Sequence, residues 1–186
     1  GFGHSEEVVG RAVRGRRGSV LLATKGGRVQ KQGGEDIESC LKAESIRAEI
    51  EASLRRLGTD CIDLYQLHWP NPDPDIEQAW TEVARAVKAG KIRYAGVSNF
   101  SRQQIERALE IHPVASLQPP YSMLRREVEQ ELLGWCAANG IGVVAYSPMQ
   151  NGLLAGRLTR ERISALPADD WRRASPFFTE PALSKN

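Results

Sequence analysis

Apolar positions along the chain alternate between short continuous runs and longer stretches spaced by three and four residues. Residues 19–24 (SVLLAT) are the first short run, closed by Lys25-Gly26-Gly27, and predict a strand followed by a flexible turn. Within residues 37–57, Ile37, Leu41, Ile46, Ile50, Leu54 and Leu57 recur mostly at helical spacing, and Gly58 follows where a C-cap favours positive φ. A helix is expected there. Residues 62–67 (IDLYQL) predict the next strand, ended by His68-Trp69-Pro70. Asp73 as N-cap and Pro74 at the first helical position then open a helix carrying Ile76, Ala79, Trp80, Val83 and Val87 on one face and stopping at Gly90.

The alternation continues. Residues 94–98 (YAGVS) predict a third strand, and Ser101 with Gln104 forms a capping box before a helix that buries Ile105, Ala108 and Leu109. Residues 114–118 (VASLQ) predict a fourth strand. Val128, Leu132, Leu133 and Cys136 line a helix stopped by Asn139-Gly140, and residues 142–146 (GVVAY) predict a fifth strand. Strands alternating with helices require right-handed crossovers, so the sheet should be parallel and covered by helices, as a barrel or a doubly wound sheet. Residues 5–14 read as a helix with no strand before it, and residues 165–186 are rich in Pro, Ser and charge, so both ends read as cut.

Composition narrows the classes of function. Hydrophobic residues make up 41% and charged residues 26% of the 186, as in globular chains rather than disordered ones. Lys plus Arg number 25 against 23 Asp plus Glu, and the resulting net charge of +2 points away from nucleic acid and anionic membranes, toward small molecules. No apolar stretch approaches the roughly 20 residues that cross a bilayer. Cys40, Cys61 and Cys136 are widely spaced and form no CxxC pair, which argues against a disulfide framework and a zinc site and for a reducing cytoplasm. The Arg11, Arg14, Arg16 and Arg17 cluster reads as a solvated helix end.

In parallel α/β folds ligands gather outside the carboxyl ends of the strands, so the strand endings carry the candidate chemistry. Here they are Lys25, His68, Ser98-Asn99, Gln118 and Tyr146-Ser147. Lys25 follows an apolar run, which would desolvate its ammonium and lower its pKa; the competing reading is a snorkelling lysine. His68 can orient a substrate oxygen or shuttle a proton, or serve as a hydrogen-bonded core imidazole. Ser98, Asn99 and Gln118 can match the donor and acceptor of an amide, although Ser and Asn also cap helices. Tyr146 can stack on a planar group or simply pack.

After Tyr146 come Ser147-Pro148-Met149-Gln150-Asn151-Gly152-Leu153 and, further on, Arg157, a loop whose glycines admit close backbone approach to an anion and whose arginine can pair with phosphate. A diphosphate cradle is the functional reading. The sequence holds no Walker A loop, no GxGxxG and no HExxH, and GVSNF at residues 96–100 falls one glycine short of a nucleophile elbow.

The segments LLATKGG (21–27), SLRRLGTDCIDLYQLHWP (53–70), GKIRYAGVSNF (90–100), the segment 118–121 and GVVAYSPMQNGLLAGR (142–157) together resemble the aldo-keto reductase family, in the family's order and over nearly the whole chain. The resemblance implies a (β/α)8 TIM barrel, of which about five βα units are present, as one partial barrel domain over residues 1–186. An eight-stranded barrel takes about 250 residues. It also implies NADPH-dependent reduction of aldehyde or ketone carbonyls in a cytoplasmic protein acting on small molecules, without metal, nucleic-acid or membrane partners; oligomeric state stays open.

By the resemblance, Lys25 and His68 fall on the catalytic lysine and histidine, and Trp69 borders the substrate. Ser98, Asn99 and Gln118 fall on the residues that hold the nicotinamide carboxamide, Tyr146 on the aromatic stacked against its ring, and Ser147, Pro148, Met149, Gly152, Leu153 and Arg157 on the diphosphate loop. The family's proton-donating tyrosine, with its assisting aspartate, has no counterpart in this sequence; GFGHSEE resembles the stretch just after it. Tyr65 is three residues from His68 and so points to the other face of its strand, and Tyr94 and Tyr121 lack a matching neighbour. The alternative is a nicotinamide-binding regulatory subunit similar to the potassium-channel β subunits, with little or no turnover.

Overall fold

The computed structural model describes residues 3–31 and 36–185; Gly1 and Phe2 of the GFGHSEE stretch, and Asn186 at the end of the expected domain, lie outside the described residues. The chain divides into two compact units, one running to Pro119 and including Leu132–Val144, the other formed by Pro120–Glu131 and the residues from Ala145 onward. The first unit contains α1 (His4–Val13), β1 (Ala23–Gly26), the short antiparallel pair β2 (Arg28–Gln30) and β3 (Ile37–Ser39), then α2 (Ala43–Leu57), β4 (Ile62–Leu67), α3 (Ile76–Lys88), β5 (Ile92–Ser98), α4 (Arg102–Leu109), β6 (Ser116–Gln118), α5 (Leu132–Ala138) and β7 (Gly142–Val143).

Its main sheet has five parallel strands in the order β1-β4-β5-β6-β7. Each joins its chain neighbour in the sheet through a connection bearing a helix, so strand order follows chain order, the arrangement of a barrel wall rather than of a doubly wound sheet with a switch point. Leu67, Val97 and Leu117 project from successive strands, and Ile46 and Ile50 of α2, Trp80 and Val83 of α3, and Ile105 of α4 bury against them in one core. Trp80 is fully buried and its indole N–H donates to the His112 carbonyl at 3.1 Å. That bond satisfies the one polar atom of the largest side chain in the core. His112 therefore contributes through its backbone.

Several predicted boundaries shift. The first strand is displaced from residues 19–24 to Ala23–Gly26, so Lys25 lies inside β1 instead of after it. The helix expected over 37–57 begins only at Ala43: Ile37 pairs in β3, and Leu41, though fully buried, precedes the helix. A buried apolar residue in the right phase mimicked an extra helical turn. Asp73 is not the N-cap of α3; a 3-10 turn at Asp73–Asp75 comes first, and the carboxylate instead accepts from Gln104 (2.7 Å) and Arg107 (2.8 Å). The predicted helix around Val128 to Cys136 splits into a 3-10 turn, Glu127–Glu129, and α5. The last strand shortens to Gly142–Val143, with Tyr146 forming an isolated parallel bridge to Pro120. The capping box forms as expected: Ser101 Oγ accepts from the Gln104 N–H and the Gln104 side chain accepts from the Ser101 N–H.

Arg17 is no solvated helix end. Its guanidinium pairs with Asp63 Oδ2 at 2.6 Å and donates to the Val20 and Cys61 carbonyls at 3.0 and 2.7 Å, while Asp63 also accepts from the Leu22 N–H at 2.9 Å. Arg93 lies 2.8 Å from the other Asp63 oxygen. Burial pushes the Asp63 carboxyl up, but these donors and cations together hold it below the usual carboxylate range. This network joins β4 to the segment entering β1. In the second unit, α6 (Arg160–Ser164) and 3-10 turns at Trp171–Ala174 and Pro176–Phe178 build a small core on Leu153, Ile163 and Phe178. The tail is thus folded where its composition suggested irregular chain. Among the described residues no helix is long and apolar enough to cross a membrane.

Trp80→Ala should lower unfolding stability by about 3–5 kcal/mol in a denaturant titration, because it empties a fully buried site and orphans the His112 carbonyl. For Asp63→Asn, the loss should be largest near neutral pH and should shrink as pH falls through the depressed Asp63 pKa, since below it the native aspartate is protonated as well.

Candidate functional site

Register decides which strand residues share a face. Lys25 pairs with Gln66, Gln66 with Gly96, and Gly96 with Ser116. In parallel strands such partners point the same way, and so do residues two further along, which adds His68 beyond Gln66, Ser98 beyond Gly96, and Gln118 beyond Ser116. Lys25, His68, Ser98 and Gln118 therefore stand on one face of the sheet at its carboxyl end. Tyr65, paired with Thr24 and Ala95, occupies the opposite face and is fully buried, as the spacing to His68 required. Tyr94 shares the His68 face but lies toward the amino end, opposite Leu64.

The backbone joins these residues further. The His68 N–H donates to the Gly26 carbonyl at 2.9 Å, tying the start of the loop after β4 to the end of β1. Asn99 ends β5 with a left-handed backbone (φ 64), which a short polar side chain tolerates best among non-glycine residues. That turn aims its side-chain amide back across the strand ends, where Nδ2 donates to the His68 carbonyl and to Ser98 Oγ, both at 3.0 Å. Ser98 Oγ in turn donates to the Gln118 carbonyl at 2.8 Å, and the Asn99 N–H reaches the same oxygen at 3.1 Å. The predicted amide-binding residues of the first unit are thus one hydrogen-bonded row that includes the His68 backbone. Trp69 lies beside His68 with its ring nearly parallel, 17° between planes and 6.4 Å between centroids.

Lys25 and His68 both line a cleft of ≈ 770 Å³, together with Arg28 and residues of α1 and α2. Burial pushes the Lys25 ammonium below its ordinary pKa. His68 is lowered to about 4, first by burial and then by the positive charges of Lys25 and Arg28. At neutral pH the imidazole is therefore uncharged, with one N–H donor and one acceptor nitrogen. An uncharged imidazole beside a half-buried lysine suits orientation of a carbonyl oxygen better than proton storage.

The remaining candidates belong to the second unit. Tyr146 accepts through its carbonyl from the Tyr121 N–H at 3.2 Å. The loop after it carries a cluster of left-handed backbone positions, at Ser147 (φ 55), Gln150 (φ 44), Asn151 (φ 52) and Gly152 (φ 97), and the 3-10 segment Gln150–Ala155 is interrupted at Asn151 and Gly152. Within this loop the Gln150 N–H donates to the Ser147 carbonyl at 2.9 Å, and the Gly152 and Leu154 N–H groups donate to the Met149 carbonyl at 3.0 and 3.3 Å. Pro148, Met149 and Arg157 are exposed. Leu153 differs from its expected role: its side chain is buried in the second unit's core, so only its backbone is left to face a ligand.

Sequence reading missed Gln66, Arg28 and Glu49. Gln66 is buried and donates to Ser116 Oγ at 3.2 Å beneath the strand ends; its position two residues before His68 was the available signal. Arg28 follows a double glycine in a strand that no periodicity marked. Glu49 sits on α2 and accepts from the Gly27 N–H at 2.8 Å, a contact between segments that only the tertiary fold creates.

The family model described as "Aldo/keto reductase family" matches residues 1–179. The chain is 39% identical over 187 residues to aldo-keto reductase YhdN of Bacillus subtilis and 35% identical over 191 residues to aldo-keto reductase yakc [NADP(+)] of Schizosaccharomyces pombe. It is covered completely in both cases but spans only 55% and 56% of those relatives. Among solved structures, glycerol dehydrogenase AKR11B4 from Gluconobacter oxydans superposes with a TM-score of 0.89 at 36% identity, over 99% of this chain and 57% of that one. An aldo-keto reductase from Klebsiella pneumoniae in complex with NADP and acetate gives 0.68 at 32% identity, over 92% and 57%. The main sheet is accordingly part of a (β/α)8 barrel wall, and by the extent of the family match the chain belongs to the aldo/keto reductase family.

Proposed function

We propose that this chain supplies catalytic and cofactor-holding residues for the reduction of an aldehyde or ketone by NADPH. The observation that carries the reading is the placement of Lys25, His68, Ser98 and Gln118 on one sheet face at one end, with His68 uncharged at neutral pH. Within the first unit, the row Ser98, Asn99 and Gln118 fits the carboxamide of a nicotinamide dinucleotide; the loop of the second unit is assigned to the diphosphate by the family resemblance alone. NADPH, when bound, supplies the hydride.

The chain's own residues have distinct tasks. Neutral His68 donates a hydrogen bond that orients the substrate oxygen and, lacking charge, leaves the oxygen's proton to a separate acid. Lys25 acts on that acid electrostatically, its positive charge favouring the ionised form of a neighbouring phenol. The family resemblance assigns the phenol to none of this sequence's tyrosines. Trp69 flanks His68 and shields the substrate from water. Ser98, Asn99 and Gln118 hold the carboxamide, Tyr146 would stack on the ring, and the 147–153 loop with Arg157 would carry the diphosphate. The neutral His68 beside Lys25 and the relatives named as reductases favour turnover, while retention of NADPH without reduction of any carbonyl would identify a binding subunit instead.

Loss of NADPH absorbance with a panel of aldehydes and ketones tests the reading in the full-length protein. Lys25→Met should lower kcat by about 100-fold or more with NADPH affinity little changed, as expected for loss of acid–base assistance; an unaltered kcat refutes the role. The His68 imidazole, followed by NMR, should remain neutral from pH 8 down to pH 5, because its pKa is about 4. Lys25→Met removes one of the charges that lower it, so the His68 pKa should rise toward the ordinary histidine value of 6.5.

A further inference from the structure

Lys25 is followed by two glycines, and each is there for a reason that has nothing to do with rigidity. A Cβ on Gly26 would fall 1.8 Å from the Tyr65 hydroxyl, and Gly27 has φ +88. Adjacent glycines are the freest backbone a chain can have. Yet both reactive residues depend on this short stretch, since Lys25 precedes it in β1 and the His68 N–H is held by the Gly26 carbonyl. Something must remove that freedom.

Glu49 of α2 does so. One oxygen, Oε2, accepts from the Gly27 N–H at 2.8 Å and from the Arg28 N–H at 3.3 Å. The other, Oε1, accepts from Ser45 Oγ at 3.0 Å, one turn earlier on the same helix. The carboxylate is therefore fixed to the helix at one end and to the glycine turn at the other. We propose that Glu49 is a positioning residue for carbonyl reduction, holding the Gly27-Arg28 turn so that Lys25 and the His68 backbone keep one geometry. It touches no reacting atom, and the inference rests on the reading that Lys25 and His68 act in that reduction. Burial raises the Glu49 pKa, opposed by the same hydrogen bonds from Gly27, Ser45 and Arg28, so the group keeps its place despite a desolvation cost. Charge-assisted bonds to two successive amides are stronger and more directional than a glycine turn would have alone.

The test uses Glu49→Ala, Glu49→Gln and Glu49→Asp in the full-length protein, with steady-state carbonyl reduction, NADPH affinity and amide hydrogen exchange. Glu49→Ala should lower kcat by about 10-fold, the scale of a sub-ångström misplacement, while KM and NADPH affinity change less than about 2-fold. Glu49→Gln should recover most of kcat, because its carbonyl oxygen reaches the same amides; Glu49→Asp, one methylene too short, should lose several-fold and keeps the question decidable if the alanine variant does not fold. Exchange at Gly27 and Arg28 should accelerate about 10-fold in Glu49→Ala. In a Lys25→Met background, Glu49→Ala should cost little more, since the residue it positions is gone.

Wild-type kcat in the alanine or aspartate variant, or losses that multiply fully in the double variant, overturns the positioning role while leaving the reductase reading intact. A wild-type protein that reduces no carbonyl overturns the reductase reading and the positioning role with it, and unchanged exchange in Glu49→Ala shows that the turn is not held by this carboxylate at all.

Discussion

A β-strand sends successive side chains to opposite faces, and in a parallel sheet the register propagates that choice from one strand to the next. Everything distinctive about this chain follows from that constraint. One face of the sheet takes Tyr65, Leu67, Val97 and Leu117 into a core closed by helices. The other takes Lys25, Gln66, His68, Ser98, Ser116 and Gln118. A slip of one residue in any strand would drive its polar set into the core and its apolar set out, so packing of the helical side enforces the arrangement of the chemical side.

Electrostatics then follows from position. Lys25 and His68 lie in one cleft, and each is partly withdrawn from water. Desolvation disfavours the charged form of both, and the remaining positive charge acts on the imidazole, which has by far the lower intrinsic pKa. The histidine gives way and becomes neutral while the lysine remains the local cation. On the proposed reading the roles separate accordingly: His68 orients through a hydrogen bond, and Lys25 acts through its field.

Side-chain contacts support both ends of the sheet. The Arg17–Asp63 pair ties β4 to the segment entering β1, Glu49 ties α2 to the turn leaving it, and Asn99 links the end of β5 to the loop after β4. Each contact lies at a strand end or next to one, where ladder hydrogen bonds run out and backbone freedom would otherwise be greatest. Side chains take over there what the sheet provides in its middle.

Sequence alone determined the βα alternation and the capping box at Ser101 and Gln104, because each rests on local spacing that no distant partner can alter. It also excluded Tyr65 as a neighbour of His68, since period two is a property of the strand itself. Tertiary structure decided the rest. It took residues 37–42 out of the supposed helix, where a buried Leu41 imitated helical phase; it took Arg17 out of solvent; it folded the Pro-rich tail around Phe178; and it brought Glu49 to Gly27. For Arg17, Phe178 and Glu49 the deciding partner stands far along the chain, and neither periodicity nor local propensity carries information about a residue that only folding makes adjacent.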